Sequence, residues 1–312
     1  MKDGLLLIDK EAGLTSHDVV QRVRRLLKQK KIGHCGTLDP DATGLLLLTL
    51  GTATRLTRFL IRAPKVYEGV FRLGTATDTY DASGRVVSEA SPEAMAALTQ
   101  EAVTAAMHAF EGEIEQKPPP YSAKKVNGVK YYELARRGEE VPDEPTEVTV
   151  YELAPIGEFG GLPGDPNDGS IGFRLACSSG TYARGLAHDL GAALGVGGHL
   201  AALRRTKIGS FSVDAAVTLA GLEAAVTAGE SPGQAWIPFD QIPLPFGEVT
   251  ADPQQETRIS HGQTVLVREL AGEEGDWVKL INRRREMIAV GTVVERIGTA
   301  GVGIVQPRVV FR

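Results

Sequence analysis

The sequence predicts an α+β fold with a small β domain at the C-terminal end. Three observations carry this reading. Gly4 to Ile8 and Leu45 to Leu50 are short, almost wholly apolar runs of strand length, as buried strands are. Val19, Val20, Val23, Leu26 and Leu27 recur at helical spacing. The residues after Pro253 alternate strand-like runs with turns, at Gly262 to Thr264, Asp276 to Ile281, Met287 to Val294 and Gly303 to Val305.

A chain of 312 residues is expected to hold one large domain and a small one, divided here as 1–248 and 249–312. The net charge of −5 argues against a generally basic nucleic-acid binder. Basic residues are nevertheless clustered, in Arg22 to Lys31, Lys117 to Arg137, Arg204 to Lys207 and Arg283 to Arg285. Any single run reads as a solvated face, whereas four runs converging on one groove would make a phosphate track. No apolar run approaches bilayer-spanning length. The N-terminus has a short apolar core with an aspartate on each side, so it reads as a first strand and not a signal peptide. Cys35 and Cys177 give no disulfide framework, and a cytoplasmic protein is expected.

After the first strand, Thr15 or Ser16 is an N-cap candidate for a helix that ends near Lys30-Lys31. Ala53 to Ile61 reads as helical, Lys65 to Leu73 as a strand, and Pro92 to Glu111 as one helix. Asn127-Gly128 signals a hairpin, and Tyr131, Leu134 and Ala135 a short helix ending at Gly138. Gly157 to Ser170 reads as a surface insertion. Strand Ile171 to Cys177 follows, then a helix that Thr181 can cap. Four prolines between Trp236 and Pro253 suggest a linker.

All of this is arranged around Lys31 to Gly44, K-I-G-H-C-G-T-L-D-P-D-A-T-G. Its glycines permit unusual backbone angles, and Pro40 disfavours a helical Asp39. The stretch is a tightly shaped loop entering a buried strand, a common place for chemistry. It is similar to the G-H-x-G-T-L-D-P-x-A-T-G signature of the TruB family of pseudouridine synthases, the bacterial tRNA pseudouridine-55 synthases. Three further stretches resemble that family: K-V-Y-E-G-V-F-R-L-G from Lys65, P-P-P-Y-S-A-K-K from Pro118, and C-S-S-G-T-Y-A-R from Cys177. The loop T-A-T-D-T-Y-D-A-S-G also matches, but its Asp78 and Asp81 read as turn residues without a catalytic role.

The resemblance implies a central, mainly antiparallel sheet with flanking helices, followed by a PUA-like RNA-binding β domain. It implies isomerisation of uridine 55 in the TΨC loop of tRNA, on a flipped-out base, with Asp39 as the catalytic aspartate. Arg184 would pair with Asp39, and Tyr67 would stack on the base and take part in proton transfer. His34, Tyr121 and Lys124 would contact RNA, Leu203 would line the apolar pocket, and Arg204 or Arg205 would reach phosphate. No cofactor and no metal are expected, because the reaction is neither redox nor group-consuming. The expected partner is the T-arm stem-loop of tRNA, with no membrane and no obligate protein partner, for a monomer. Asp39 is left with three roles: attack on the sugar, attack on the base, or assistance to elimination.

Two other readings compete. Asp39 and Asp41, spaced D-x-D, would suit a Mg²⁺-dependent phosphotransferase, but no further carboxylate cluster offers a clear Mg²⁺ site. An RNA-binding protein without catalysis would use the basic runs and aromatics, yet has no need of Asp39, Tyr67 and Arg184 together. Asp41 stands where the family often has an apolar residue, and no role is assigned to it.

Overall fold

Leu5, Leu6, Leu7 and Ile8 are all buried, which an unbroken apolar run achieves as a strand covered on both faces. Strand β1 (Gly4–Lys10) sends Leu5 and Leu7 to one core and Leu6 and Ile8 to the other. Strand β3 (Thr43–Leu50) repeats the alternation, with Leu45 and Leu47 on the first side and Leu46 and Leu48 on the second. Helix α1 (Ser16–Leu26) covers that second side with Val19, Val20 and Val23. Thr15 is the cap, in a capping box with Asp18, while Ser16 turns inward. The helix therefore stops at Leu26, short of Lys30-Lys31; the short strand β2 (Ile32–His34) then runs beside β3.

The computed structural model describes residues 2–119, 125–126, 129–131, 144–160, 169–298 and 301–311. Downstream of β3, a 3-10 turn (Gly51–Leu56) leads into α2 (Thr57–Leu60), then β4 (Lys65–Leu73) and the hairpin β5 (Thr75–Thr77) and β6 (Val86–Glu89). The segment expected as one helix is two, α3 (Pro92–Ala96) and α4 (Gln100–His108). Ser91 and Thr99 each cap a helix of their own, and the second cap breaks the run. Strands β7 (Gly112–Gln116), β8 (Lys125–Val126) and β9 (Val129–Lys130) follow; β8 and β9 pair, and Asn127-Gly128 lies outside the described residues. Most of the helix expected from Tyr131 to Gly138 also lies outside them. Strands β10 (Thr146–Ile156) and β11 (Ser170–Cys177), helix α5 (Ala183–Ala193) and strand β12 (Gly198–Ile208) complete the centre. Residues 161–168 of the expected surface insertion are outside the description.

Two short strands, β13 (Phe211–Ser212) and β14 (Trp236–Pro238), flank helix α6 (Leu219–Thr227). The main sheet runs β14-β1-β3-β12-β4-β11-β10-β7. Every neighbouring pair on that path is antiparallel except β3 with β12, where Thr43 and Gly44 run parallel to Arg204 and Arg205. Gly44 has φ +97°, and a Cβ there would lie 2.3 Å from the Arg205 carbonyl oxygen. Only glycine lets the loop after β2 enter the sheet so close to β12.

The proline-rich stretch is not a free linker. Trp236–Pro238 adds the edge strand on β1, and Pro253 opens helix α7 (Pro253–Ser260) at its first turn. The C-terminal sheet takes strands β15 (Glu248–Thr250), β16 (Val265–Val267), β17 (Trp277–Ile281), β18 (Met287–Ile297) and β19 (Val302–Val310) in the order β15-β17-β18-β19-β16. It begins at Glu248, one residue before the expected division. Among the described residues, no helix is long and apolar enough to cross a membrane.

Candidate active site

The loop from Cys35 to Ala42 joins β2 to β3, and buried polar groups hold its backbone. Ser16 Oγ donates to Leu38 O (3.2 Å) and accepts from Leu38 N (2.8 Å). Lys10, fully buried, donates Nζ to the carbonyls of Pro40 (2.8 Å), Leu14 (2.7 Å) and Glu11 (2.9 Å). Arg205 donates to the carbonyls of Leu45 (2.7 Å), Gly36 (3.1 Å) and Thr37 (3.4 Å). Asp39 begins a turn with Pro40 at its second position, closed by Ala42 N to Asp39 O at 3.2 Å. The side chain of Asp39 is thus aimed by a backbone that has little freedom.

Its partner is Arg184, in the first turn of α5. Arg184 donates Nε to Asp39 Oδ2 at 2.9 Å and Nη2 to Oδ1 at 3.3 Å. Its Nη1 bonds Asp81 Oδ2 and Thr79 O, both at 3.2 Å. The guanidinium is 7% exposed and bridges two carboxylates. Asp81 is held in turn by Thr79 Oγ1 (2.7 Å) and Ser83 Oγ (2.6 Å) on its other oxygen. The start of α5 is not capped by Thr181, whose hydroxyl donates to Ser178 O. Buried Gln116 instead fixes the residue before the helix: Tyr182 N donates to its Oε1 (2.7 Å), and its Nε2 donates to Tyr182 O (2.9 Å).

Burial pushes the Asp39 carboxyl above the usual aspartate range; Arg184 pulls it back, Asp81 pushes it up, and Lys10 pulls it down. Burial also holds the Lys10 ammonium below the usual lysine range, opposed by Asp41 and Asp39. Asp41 therefore has an electrostatic part here, favouring a charged Lys10 under the loop.

Two cavities meet at Asp39, Leu203 and Arg184. One, of about 910 Å³, is bordered by His17, His34 and Asp41; the other, of about 570 Å³, by Tyr67, Lys65, Tyr182 and Arg205. Tyr67 stands on β4 between Leu175 of β11 and Arg205 of β12. Burial raises its phenol above the usual range, and the Arg205 charge partly opposes that. His34 keeps Nδ1 buried without a hydrogen-bond partner, and burial lowers its imidazole below the ordinary value. Lys65, buried at the start of Tyr67's own strand, bonds Ile61 O and is pushed down to about 8, chiefly by burial.

The structure brings together Asp39, Arg184, Tyr67, His34 and Leu203. It does not bring Arg205 to solvent. Arg205 is 1% exposed, so it cannot reach a phosphate; its guanidinium is spent on loop carbonyls. Arg204 is half-exposed but pairs through both terminal nitrogens with Asp9, at 3.0 and 2.8 Å. Tyr121 and Lys124 lie outside the described residues. In the run Arg283 to Arg285, Arg284 pairs with Glu286 and Arg285 with Glu248.

Sequence reasoning missed Asp81, Lys10, Ser16 and Gln116. A signal existed for Lys10, which continues the inward positions Leu6 and Ile8 of β1 at period two. Asp81 had one as well, since its loop already resembled the family.

Comparisons with known proteins show the family. Residues 24–183 match the family described as "TruB family pseudouridylate synthase (N terminal domain)", and residues 184–241 match "tRNA pseudouridylate synthase B C-terminal domain". The chain is 42% identical over 293 residues to the "tRNA pseudouridine synthase B" of Solibacter usitatus (strain Ellin6076), covering 94% of this chain and 96% of that one. It is 46% identical over 273 residues to the protein of that name from Leifsonia xyli subsp. xyli (strain CTCB07), covering 87% and 85%. Among solved structures it resembles a chain of "Crystal Structure of a Cbf5-Nop10-Gar1 Complex", with a TM-score of 0.73 and 26% identity over 99% of this chain and 85% of that one.

Proposed function

The chain belongs to the TruB family of pseudouridylate synthases, and from that premise we propose that it isomerises uridine 55 in the TΨC loop of tRNA, with Asp39 as the catalytic carboxylate. Isomerisation of uridine in tRNA is the activity of the family's tRNA pseudouridine synthases. The observation that carries the finer reading is the two-point ion pair of Arg184 on Asp39, set where two cavities meet.

The reaction breaks the N1–C1′ bond, turns the base and forms C5–C1′; the C5 proton leaves and N1 gains one. Nothing is oxidised or reduced. The carboxylate must be ionised to act at the sugar or the base, and burial alone opposes that. Arg184 supplies the opposing charge without leaving the protein interior. The Tyr67 cavity suits the flipped base, with the ring as a stacking face and Leu203 excluding water. A phenol is protonated at neutral pH and burial raises Tyr67 further, so its hydroxyl enters the reaction as a proton carrier and not as a standing phenolate. The His34 cavity suits the RNA around the target, with a neutral imidazole against the space that the base leaves. The C-terminal sheet is read as a PUA-like RNA-binding module.

The test is tritium release from C5-labelled uridine in an unmodified T-arm stem-loop, without added cofactor. Release by the native chain and none by Asp39→Asn, with RNA still bound, supports the proposal. Release by both would mean that another group does the chemistry. No release by either, with RNA bound, would favour an RNA-binding protein without this activity.

A further inference from the structure

A third cavity, of about 660 Å³, opens between α2 and the C-terminal sheet, away from Asp39. Its wall carries Arg58, Arg62, Phe246, Asp276 and Trp277. Phe59 beneath them is buried and does the packing, edge-on to Phe246 at 5.4 Å and to Trp277 at 4.7 Å. Phe246 and Trp277 remain half-buried, so each keeps ring surface toward the opening.

The arginines are what packing does not explain. Arg58 is exposed, yet its guanidinium is laid over two rings, 4.8 Å from the centroid of Phe59 and 4.8 Å from that of Trp277. Arg62, one helical turn on, is exposed beside it. Among the described residues neither has a carboxylate within ion-pairing distance, although Arg174, Arg184, Arg204 and Arg285 all do. Asp276 lines the same opening, but its Oδ2 is engaged by Glu273 N at 2.8 Å. Flat aromatic surface, a stacked guanidinium, a second unpaired guanidinium and one carboxylate edge form a set that single-stranded nucleotide sites use.

The geometry points to a nucleotide-binding site in this cavity: an unstacked base lies on the Trp277 and Phe246 side, its phosphate meets Arg58 and Arg62, and an exocyclic amino group faces Asp276. The chemistry belongs to a nucleotide whose base carries an exocyclic amino group, such as guanosine 5′-monophosphate, because uracil offers none to the carboxylate. An RNA source is favoured by position. The segment that supplies Arg58, Phe59 and Arg62 continues into Ile61 and Lys65, which line the Tyr67 cavity. One short segment, residues 58–65, thus borders both openings, with Arg58, Phe59 and Arg62 on this one and Ile61 and Lys65 on the other. That source rests on the function proposed above, whereas the nucleotide site itself does not.

The chain has two tryptophans, so Trp236→Phe leaves Trp277 as its sole tryptophan, read by excitation at the red edge where tyrosine does not absorb. Guanosine 5′-monophosphate, uridine 5′-monophosphate and unphosphorylated guanosine would be titrated into this protein and into its Arg58→Ala/Arg62→Ala form. In parallel, affinity for a full-length unmodified tRNA transcript would be measured in an Asp39→Asn background, which needs no turnover. Quenching by guanosine 5′-monophosphate, weakened about tenfold without the phosphate or the two arginines, supports the site. Loss of tRNA affinity of the same size in the double-alanine form assigns it to a nucleotide of the RNA. Quenching with unchanged tRNA affinity assigns it to a free nucleotide. No quenching, together with unchanged tRNA affinity, overturns the inference, as does equal quenching by the uridine and guanosine nucleotides. Both substituted arginines are exposed, and the thermal unfolding midpoint checks that the double variant is folded.

Discussion

Arg184 holds Asp39 from 145 residues away in sequence, with Nε at 2.9 Å from Oδ2 and Nη2 at 3.3 Å from Oδ1. Its remaining terminal nitrogen, Nη1, reaches Asp81. This bridge needs a planar fork, which a lysine ammonium does not offer. Arg184→Lys is therefore expected to lower kcat by about a hundredfold while RNA affinity changes little. Single-turnover kinetics alongside filter binding would check it; an unchanged kcat would remove Arg184 from the mechanism.

Burial and Asp81 both raise the Asp39 pKa. A carboxylate that must be ionised loses activity as pH falls through its folded-state pKa. The acid limb of the pH–rate profile is thus expected above the pH at which an exposed aspartate titrates. Asp81→Asn removes one upward influence, so the limb should move to lower pH even as the maximal rate drops. A limb that stays in place would show that Asp81 does not couple to Asp39.

Ser16 is a positioning residue for the loop, bonded to both backbone groups of Leu38, the neighbour of Asp39. Ser16→Ala leaves a buried N–H and C=O unsatisfied and should cost about 2 kcal/mol of stability. Activity measured well below the unfolding midpoint should fall through kcat with KM preserved. A fall in stability with kcat intact would make Ser16 merely structural.

Gly44→Ala puts a methyl group against the Arg205 backbone at a left-handed position. The expected loss is about 3 kcal/mol, seen as a lowered denaturation midpoint. Gly13→Ala, also at positive φ but with open space around its Cβ, should cost about 1 kcal/mol. Equal losses would mean that close approach to β12 is not what selects Gly44.

The buried strands, helix α1 and the shape of the Asp39 loop were legible because each depends on neighbours in sequence. Leu5 to Ile8 and Leu45 to Leu48 could only be covered on both faces; Pro40 restricted the backbone beside Asp39, and Gly36 and Gly44 permitted the positive φ angles that the loop takes. The break between α3 and α4 was less visible, because a cap at Thr99 competes with continuing the helix by a small margin. The different surroundings of Arg204 and Arg205 were hidden for another reason. Adjacent residues on a strand point to opposite faces, so one reaches Asp9 while the other is buried under the loop.

By itself the sequence determined the buried strands and the first helix, where the loop must bend, and which family its motifs resemble. Those properties follow from periodicity and backbone sterics, which act over a few residues. The resemblance implied the pair of Arg184 with Asp39, but only the tertiary structure decided which other charges join or miss it. The order β3-β12-β4 puts Arg205 beneath the loop, and the start of α5, held by Gln116, sets Arg184 between Asp39 and Asp81. Ion pairing and desolvation depend on distance through space and on the water removed, and the strand order sets both.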